Sequence, residues 1–148
     1  PPILFVDTGY FNDCTHNMIR YLENEGYDVN IYKSTISKSE IEKRFPNWSD
    51  PESVHFRDVV SVIKHEPLMR GFRELNIKAW LGGVMRHETE ERKNAKFVQF
   101  NKGLYQIFPI LDWDSCKVNK YLLSNKLPVN RNHFDITKGP DQKKECNI

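Results

Sequence analysis

A thiol near the carboxyl end of the chain is one candidate nucleophile. Cys146 follows Lys143 and Lys144 by three and two positions. Nearby cations lower the pKa of a thiol and raise the fraction present as thiolate, which can attack an electrophilic centre and form a covalent intermediate. The residues alone fit equally well a terminal cysteine that has no role.

A glycine turn followed by two arginines is a second candidate site. Gly83 begins the stretch G-V-M-R-H-E-T-E-E-R, in which Arg86 and Arg92 are six positions apart and Thr89 lies midway. An arginine fork binds phosphate or sulfate through two parallel hydrogen bonds, and glycine lets the backbone come close to the anion. The glutamates of this stretch can instead pair with the arginines, which is typical of a solvated charged loop.

Two further groups of polar residues lie next to predicted elements. Asp7, Thr8 and Gly9 directly follow an apolar run, and Lys64 and Arg70 lie around a predicted helix start. A helix start favours anions, because its backbone N–H groups lack partners within the helix. An ordinary amphipathic surface is the simpler interpretation of the two cations.

The elements that must position these residues predict an α/β fold with a mostly parallel sheet flanked by helices. Short apolar runs alternate with segments of helical periodicity, as in parallel sheets covered by helices. Ligands of such sheets bind beyond the carboxyl ends of the strands. The predicted strands are Ile3–Val6, Val29–Tyr32, a buried strand at Ala79–Leu81, and Phe97–Phe100 and Tyr105–Ile107, which are joined by a predicted turn at Asn101-Lys102-Gly103. The predicted helices carry Met18 to Leu22, Leu68 to Leu75 after a start at Pro67, and Val118 to Leu122 after a cap at Asp114. Residues 33–57 are expected to be loop with at most a helical turn.

Composition and charge narrow the class of protein. A chain of 148 residues suits one domain, and a net charge of +2 does not indicate nucleic-acid binding. No apolar run approaches the roughly 20 residues that a membrane helix needs. Cys14, Cys116 and Cys146 form no C-x-x-C pair, so we expect no metal, iron–sulfur cluster or other cofactor, and a reducing compartment, the cytoplasm. The oligomeric state stays open, with a homodimer as one option.

Taken in order along the chain, these segments resemble the phosphoadenylyl-sulfate reductase family, within the adenine nucleotide α-hydrolase-like superfamily. No single match is specific, but their order and joint presence are. The segments that carry the resemblance are Asp7-Thr8-Gly9-Tyr10, Lys64-x-Glu66-Pro67-Leu68-x-Arg70, Gly83-x-x-Arg86-x-x-Thr89-x-x-Arg92, Pro109-Ile-Leu-Asp112-Trp113, Leu127-Pro128-x-Asn130 and Lys144-Glu145-Cys146.

The resemblance implies a Rossmann-like fold and a reductase of 3′-phosphoadenylyl sulfate. The Cys146 thiolate would attack the sulfate sulfur, and thioredoxin or glutaredoxin would then release sulfite. Relatives that use the nucleotide without its 3′-phosphate carry an iron–sulfur cluster on paired cysteines, so the absence of such pairs favours the cluster-free branch. The substrate-binding residues that the resemblance implies are Asp7, Thr8, Gly9, Lys64, Gly83, Arg86, Thr89, Arg92, Asp112 and Trp113.

The sequence also departs from the family pattern. We expect a single domain over residues 1–148 that lacks the N-terminal strand and the S-G-G-x-D-S phosphate loop of the family. Met85 stands where the family has one of two paired arginines, and Asn147 replaces the glycine after the cysteine. Two alternatives stay open: a flavin adenine dinucleotide synthetase-like adenylyltransferase, whose P-I-L-x-W-D segment resembles Pro109–Asp114, and a non-catalytic nucleotide-binding relative. The D-T-G-Y motif and the Lys-Glu-Cys tail argue against the first.

Overall fold

The chain divides into two compact units. The computed structural model describes residues 1–130 and 135–137. The first unit comprises Pro1–Arg73 together with the described residues from Asn130 on, and the second comprises Glu74–Val129. The expectation of one domain over the whole chain stays a prediction.

A strand–helix–strand segment opens the first unit, as the apolar pattern predicts. The strands β1 (Ile3–Asp7) and β2 (Val29–Lys33) are parallel and in register from end to end, so both finish at the same edge. The connecting helix α1 (Asp13–Asn24) begins at Asn12, whose side chain accepts a hydrogen bond from the N–H of Thr15. The helix ends before Gly26, whose φ of 84° is easy only for glycine.

Two helical segments of the first unit differ from the sequence expectation. Residues 33–57 contain a seven-residue helix, α2 (Lys38–Arg44), where loop with at most a helical turn was predicted. Pro67 does not open a helix, because α3 (Phe56–Val60) continues through a π-helical turn (Ser61–His65) into α4 (Glu66–Glu74). A proline inside a helix lacks an N–H and crowds the carbonyl four residues earlier, and the wider π-helical turn directly before Pro67 accommodates both effects.

The apolar core of the first unit lies around these helices. Its buried members come from α2, from the loop after it, from α3 and from the π-helical turn. They are Ile41, Trp48, Val59, Val60 and Ile63. Because α2 contributes only Ile41 to this core, its sequence shows no helical periodicity, and the interpretation as loop was wrong for that reason.

A three-stranded sheet forms the second unit. The strands β3 (Ala79–Leu81), β4 (Val98–Asn101) and β5 (Leu104–Ile107) are ordered β3-β5-β4, with β3 parallel and β4 antiparallel to β5. The predicted hairpin turn is confirmed at Lys102 and Gly103, which both have positive φ, as a two-residue hairpin loop of type I′ requires. The helix α5 (Ser115–Ser124) is capped by Asp114, as predicted.

The expectation that β3 is buried was wrong. Leu81 is 61% exposed, and its neighbour on the same face, Ala79, is exposed as well. Only Trp80 points to the other side, where its ring packs edge-on against Phe108 with centroids 5.7 Å apart. An edge strand of three residues therefore turns one side chain, which is partly buried, toward the packed face, because successive side chains alternate between the two faces. No helix within residues 1–130 and 135–137 is long and apolar enough to cross a membrane.

Candidate functional site

An open cleft of about 160 Å³ lies where β1 and β2 end. The D-T-G segment, which begins with the last residue of β1, forms one side, and the residues from the end of β2 into α2 form the other. The lining residues are Asp7, Thr8, Gly9, Lys33, Ser34, Ile36, Ser37, Lys38 and Ile41. The carboxyl edge of the parallel strand pair, where ligands of such sheets bind, therefore carries a cavity in this chain.

Asp7 is a buried carboxylate with three polar contacts. Its Oδ1 accepts a hydrogen bond from the N–H of Gly9 at 2.9 Å, and its Oδ2 lies 3.0 Å from Lys33 Nζ and 3.3 Å from His16 Nε2. Burial raises the pKa of Asp7, but the hydrogen bonds from Gly9 and Lys33 and the nearby cations outweigh it and hold the pKa below its ordinary value. The ionised carboxylate thus ties the turn after β1 to the end of β2.

The next two residues complete this side of the cleft. Thr8 is buried, and its Oγ1 accepts a hydrogen bond from the N–H of Tyr10 at 3.4 Å. The Tyr10 ring packs edge-on against Trp48 at 5.1 Å, and the ammonium of Lys38 lies 4.6 Å above the Tyr10 ring. The turn after β1 therefore reaches from the cleft to the apolar core and positions a cation at the cleft.

Lys64 lies in the π-helical turn and binds two residues that the sequence analysis missed. Its Nζ donates to Asp135 Oδ2 at 2.7 Å and to Thr137 Oγ1 at 2.9 Å. Burial raises the pKa of Asp135, but the hydrogen bonds from Lys64 and Thr137 outweigh burial and hold the pKa below its ordinary value. Because the N–H of Thr137 also donates to Asp135 Oδ1, the D-x-T spacing signals a local turn in the sequence, but it does not identify Lys64 as its partner.

Arg86 and Asp112 of the second unit, both predicted site residues, form an ion pair. Arg86 Nε lies 2.7 Å from Asp112 Oδ1, and Arg86 Nη1 donates to the backbone carbonyls of Lys93 and Ala95. The backbone N–H of Arg86 also donates to the carbonyl of Leu111 at 2.8 Å. The guanidinium is therefore held in one orientation by a carboxylate and by the loop that it closes.

Arg92 pairs with a glutamate of its own loop. Its guanidinium binds Glu88, whose Oε2 also accepts the backbone N–H of Met85 at 3.1 Å. Thr89 has extended backbone angles and separates two 3₁₀ turns, Arg86–Glu88 and Glu90–Arg92. The alternative in which glutamates of the loop pair with its arginines thus holds for Arg92, whereas Arg86 pairs with Asp112.

The glycine pair before this loop has one member that the packing requires. A Cβ atom on Gly82 would lie 2.6 Å from Cζ3 of Trp80, whereas a Cβ on Gly83 would meet nothing closer than Ile110 at 3.8 Å. Close packing therefore requires glycine at position 82. It does not require glycine at position 83, although Gly83 is the predicted site residue. Trp113, also predicted, packs edge-on against Tyr121 at 5.3 Å.

The predicted site residues other than Cys146 lie in the first or in the second unit. Asp7, Thr8 and Gly9 meet at the cleft, and Lys64 lies in the same unit with its own partners. Cys146 lies outside the described residues. Within the described part of the chain, no three His, Cys, Asp or Glu side chains cluster in a way that could hold a metal ion.

Comparison with known proteins identifies the relatives of this chain. A sequence model described as "Phosphoadenosine phosphosulfate reductase domain" matches residues 1–135. A phosphoadenosine 5′-phosphosulfate reductase of Synechococcus sp. is 34% identical over 129 residues, which cover 86% of this chain and 56% of the relative. The reductase of the same name from Buchnera aphidicola is 31% identical over 129 residues, covering 85% of this chain and 52% of the relative. The chain thus spans about half the length of the curated relatives that it matches.

A solved structure shares the fold. It is a crystal structure of phosphoadenylyl-sulfate reductase from Candida auris in a phosphate complex, with a TM-score of 0.72 and 22% sequence identity. The match covers 86% of this chain and 62% of that protein. This likeness confirms the predicted α/β fold.

Proposed function

The chain belongs to the phosphoadenosine phosphosulfate reductase family, and from this premise we propose that the protein reduces 3′-phosphoadenylyl sulfate to sulfite and adenosine 3′,5′-bisphosphate. The observation that carries the proposal is the family match over residues 1–135. It is supported by the cleft beyond β1 and β2, which is bordered by the D-T-G segment that the resemblance assigns to the nucleotide. A nucleotide at this edge would follow the general rule for ligands of parallel sheets.

The proposed chemistry consists of two displacements at sulfur. The Cys146 thiolate attacks the sulfate sulfur, an S–S bond forms, the S–O bond breaks, and adenosine 3′,5′-bisphosphate leaves with the electron pair of that bond. A thiolate of reduced thioredoxin or glutaredoxin then attacks Cys146 Sγ and releases sulfite. The second thiol of the reductant resolves the mixed disulfide, so two electrons come from the dithiol and Cys146 returns as a thiol.

Cations have the central role in the first displacement, because an anionic nucleophile approaches an anionic group. We assign the stabilisation of this charge to Lys64, Arg86 and Arg92. The contacts of Arg86 with Asp112 and with two carbonyls support this assignment, because a guanidinium that is already fixed needs little reorganisation when charge develops. Gly83, Thr89 and Trp113 are proposed to border the same anion-binding loop.

The test is sulfite release by single-cysteine variants. With 3′-phosphoadenylyl sulfate and a thioredoxin system, Cys146→Ser should release no sulfite and should still bind adenosine 3′,5′-bisphosphate. The matched controls are Cys14→Ser and Cys116→Ser, whose thiols are exposed and which should keep most of the activity. Normal turnover by Cys146→Ser would contradict the nucleophile assignment, and no sulfite release by the unsubstituted protein would favour a non-catalytic relative.

A further inference from the structure

The cleft beyond β1 and β2 has cationic and hydroxyl groups that the family motifs do not include. They come from the segment that runs from the last residue of β2, Lys33, to the first residue of α2, Lys38, where loop was predicted. We propose that this segment binds the 3′-phosphate of the nucleotide, and that Lys38 is the residue that distinguishes 3′-phosphorylated adenine nucleotides from those without the group. The inference rests on the proposed function, and it assigns a specificity-determining residue to the same site.

The charges of the lining residues favour an anion. Asp7 is the one acidic residue among them, and Lys33 and Lys38 are the two basic ones. Lys33 Nζ lies 3.0 Å from Asp7 Oδ2, so these two charges compensate each other. In the described part of the chain Lys38 pairs with no carboxylate, and its contact with the face of the Tyr10 ring orients the ammonium without neutralising it. One positive charge therefore remains at the cleft.

The hydroxyl groups of the cleft favour a ligand with acceptor oxygens. Ser34 Oγ accepts a hydrogen bond from the N–H of Ile36 at 3.0 Å, and Ser37 Oγ accepts one from the N–H of Glu40 at 3.3 Å. A hydroxyl that accepts from the backbone still carries its own hydrogen and can donate it. Ser37 Oγ also lies 3.2 Å from Ser39 Oγ, and either of these two hydroxyls can donate to the other, which leaves the other's hydrogen for a ligand. Phosphate offers only acceptor oxygens at neutral pH, and it matches an ammonium flanked by such donors.

The remaining lining residues suit the uncharged part of a nucleotide. Ile36 and the buried Ile41 contribute apolar surface beside the polar groups. A pocket with apolar walls and a few placed polar groups is the usual environment of a small organic ligand. The cleft therefore combines surface for a sugar or base with a cation for a phosphate attached to it.

Calorimetric titration with adenosine 3′,5′-bisphosphate and adenosine 5′-monophosphate tests the inference. The unsubstituted protein should prefer the bisphosphate. Lys38→Gln should weaken bisphosphate binding roughly tenfold and should leave monophosphate binding nearly unchanged. This loss lies at the lower end of the range for hydrogen bonds to charged groups, because Lys38 is near solvent. The matched control is Lys43→Gln, which removes the same charge from an exposed position of α2 outside the cleft and should leave both affinities unchanged.

The outcomes separate this inference from the proposed function. An equal loss for both nucleotides in Lys38→Gln, or no loss for either, would overturn the role of Lys38 while the proposed function stands. A loss in Lys43→Gln as large as that in Lys38→Gln would show a general charge effect and would also overturn it. Failure of the unsubstituted protein to bind either nucleotide would overturn the proposed function and this inference with it.

Discussion

Replacing Asp135 by asparagine should lower the free energy of unfolding by about 2 kcal/mol, because it removes the charge that binds Lys64. The carboxylate lies 2.7 Å from the lysine Nζ and is itself buried, so little water can replace the lost contact on the Asp135 side. Hydrogen bonds to charged groups contribute about 1.5–3 kcal/mol. The lower part of that range applies here, because the Lys64 side chain is 34% exposed and its ammonium can be rehydrated.

The effect of this substitution should depend on pH in one direction. The hydrogen bonds from Lys64 and Thr137 outweigh burial and hold the folded-state pKa of Asp135 below its ordinary value. The carboxylate therefore contributes its full stability above the unfolded-state pKa of about 3.9, and this contribution is lost as the pH falls through the lower folded-state pKa. Since asparagine does not titrate, the difference between the two proteins should be large at neutral pH and should shrink in acid.

Urea denaturation followed by circular dichroism at neutral and acidic pH measures this difference. The matched control is Asp50→Asn, because exposed Asp50 accepts the N–H of Glu52 in a similar local turn and forms no ion pair among the described residues. A double-mutant cycle with Lys64→Met should give a coupling free energy of about 2 kcal/mol at neutral pH. Coupling near zero, or an effect of Asp135→Asn that stays constant into acid, would show that the charged contact between Lys64 and Asp135 does not stabilise the fold.

Three further predictions follow from the second unit and from the cysteine pattern. Gly82→Ala should lower the free energy of unfolding by about 1–3 kcal/mol in denaturant titrations, because its Cβ would crowd the Trp80 ring. Gly83→Ala should change the free energy of unfolding little, because its Cβ has space, and equal effects of the two substitutions would contradict this packing. Arg86→Ala should raise the activation free energy of sulfite release by about 2–4 kcal/mol. Arg86→Lys should restore little of the activity, because an ammonium cannot replace the guanidinium contacts. Full activity of Arg86→Ala would exclude Arg86 from the site. Elemental analysis of the purified protein should find no stoichiometric iron or zinc, and metal retained through chelator treatment would contradict that expectation.

Local signals in the sequence were sufficient for several elements. The alternation of β1, α1 and β2, the hairpin turn at Lys102 and Gly103, and the cap of α5 at Asp114 each depend on residues close together in the chain. Strand periodicity, glycine at positive φ and an aspartate cap act within a few residues, so they can be recognised without tertiary contacts. These elements carry much of the framework of both units.

The features that could not be predicted depend on contacts between distant residues. Helix α2 is stabilised by burial of Ile41 in a core built from later segments, and its own sequence has no second apolar residue to mark a helical face. The partners of Lys64 lie 71 and 73 residues further along the chain, beyond the reach of any local pattern. The cleft lysines were missed for the same reason, because their position follows from the register of β1 with β2 rather than from a motif.

Intact-protein mass spectrometry tests directly whether Cys146 forms the proposed covalent intermediate. The protein is mixed with 3′-phosphoadenylyl sulfate without any thiol reductant, so that the proposed intermediate accumulates. We expect the addition of one SO₃ group on Cys146, located by peptide fragmentation, together with one equivalent of adenosine 3′,5′-bisphosphate. Reduced thioredoxin should then remove the group and release sulfite. Sulfite formation without any such adduct, or the adduct on Cys14 or Cys116 instead, would contradict this expectation.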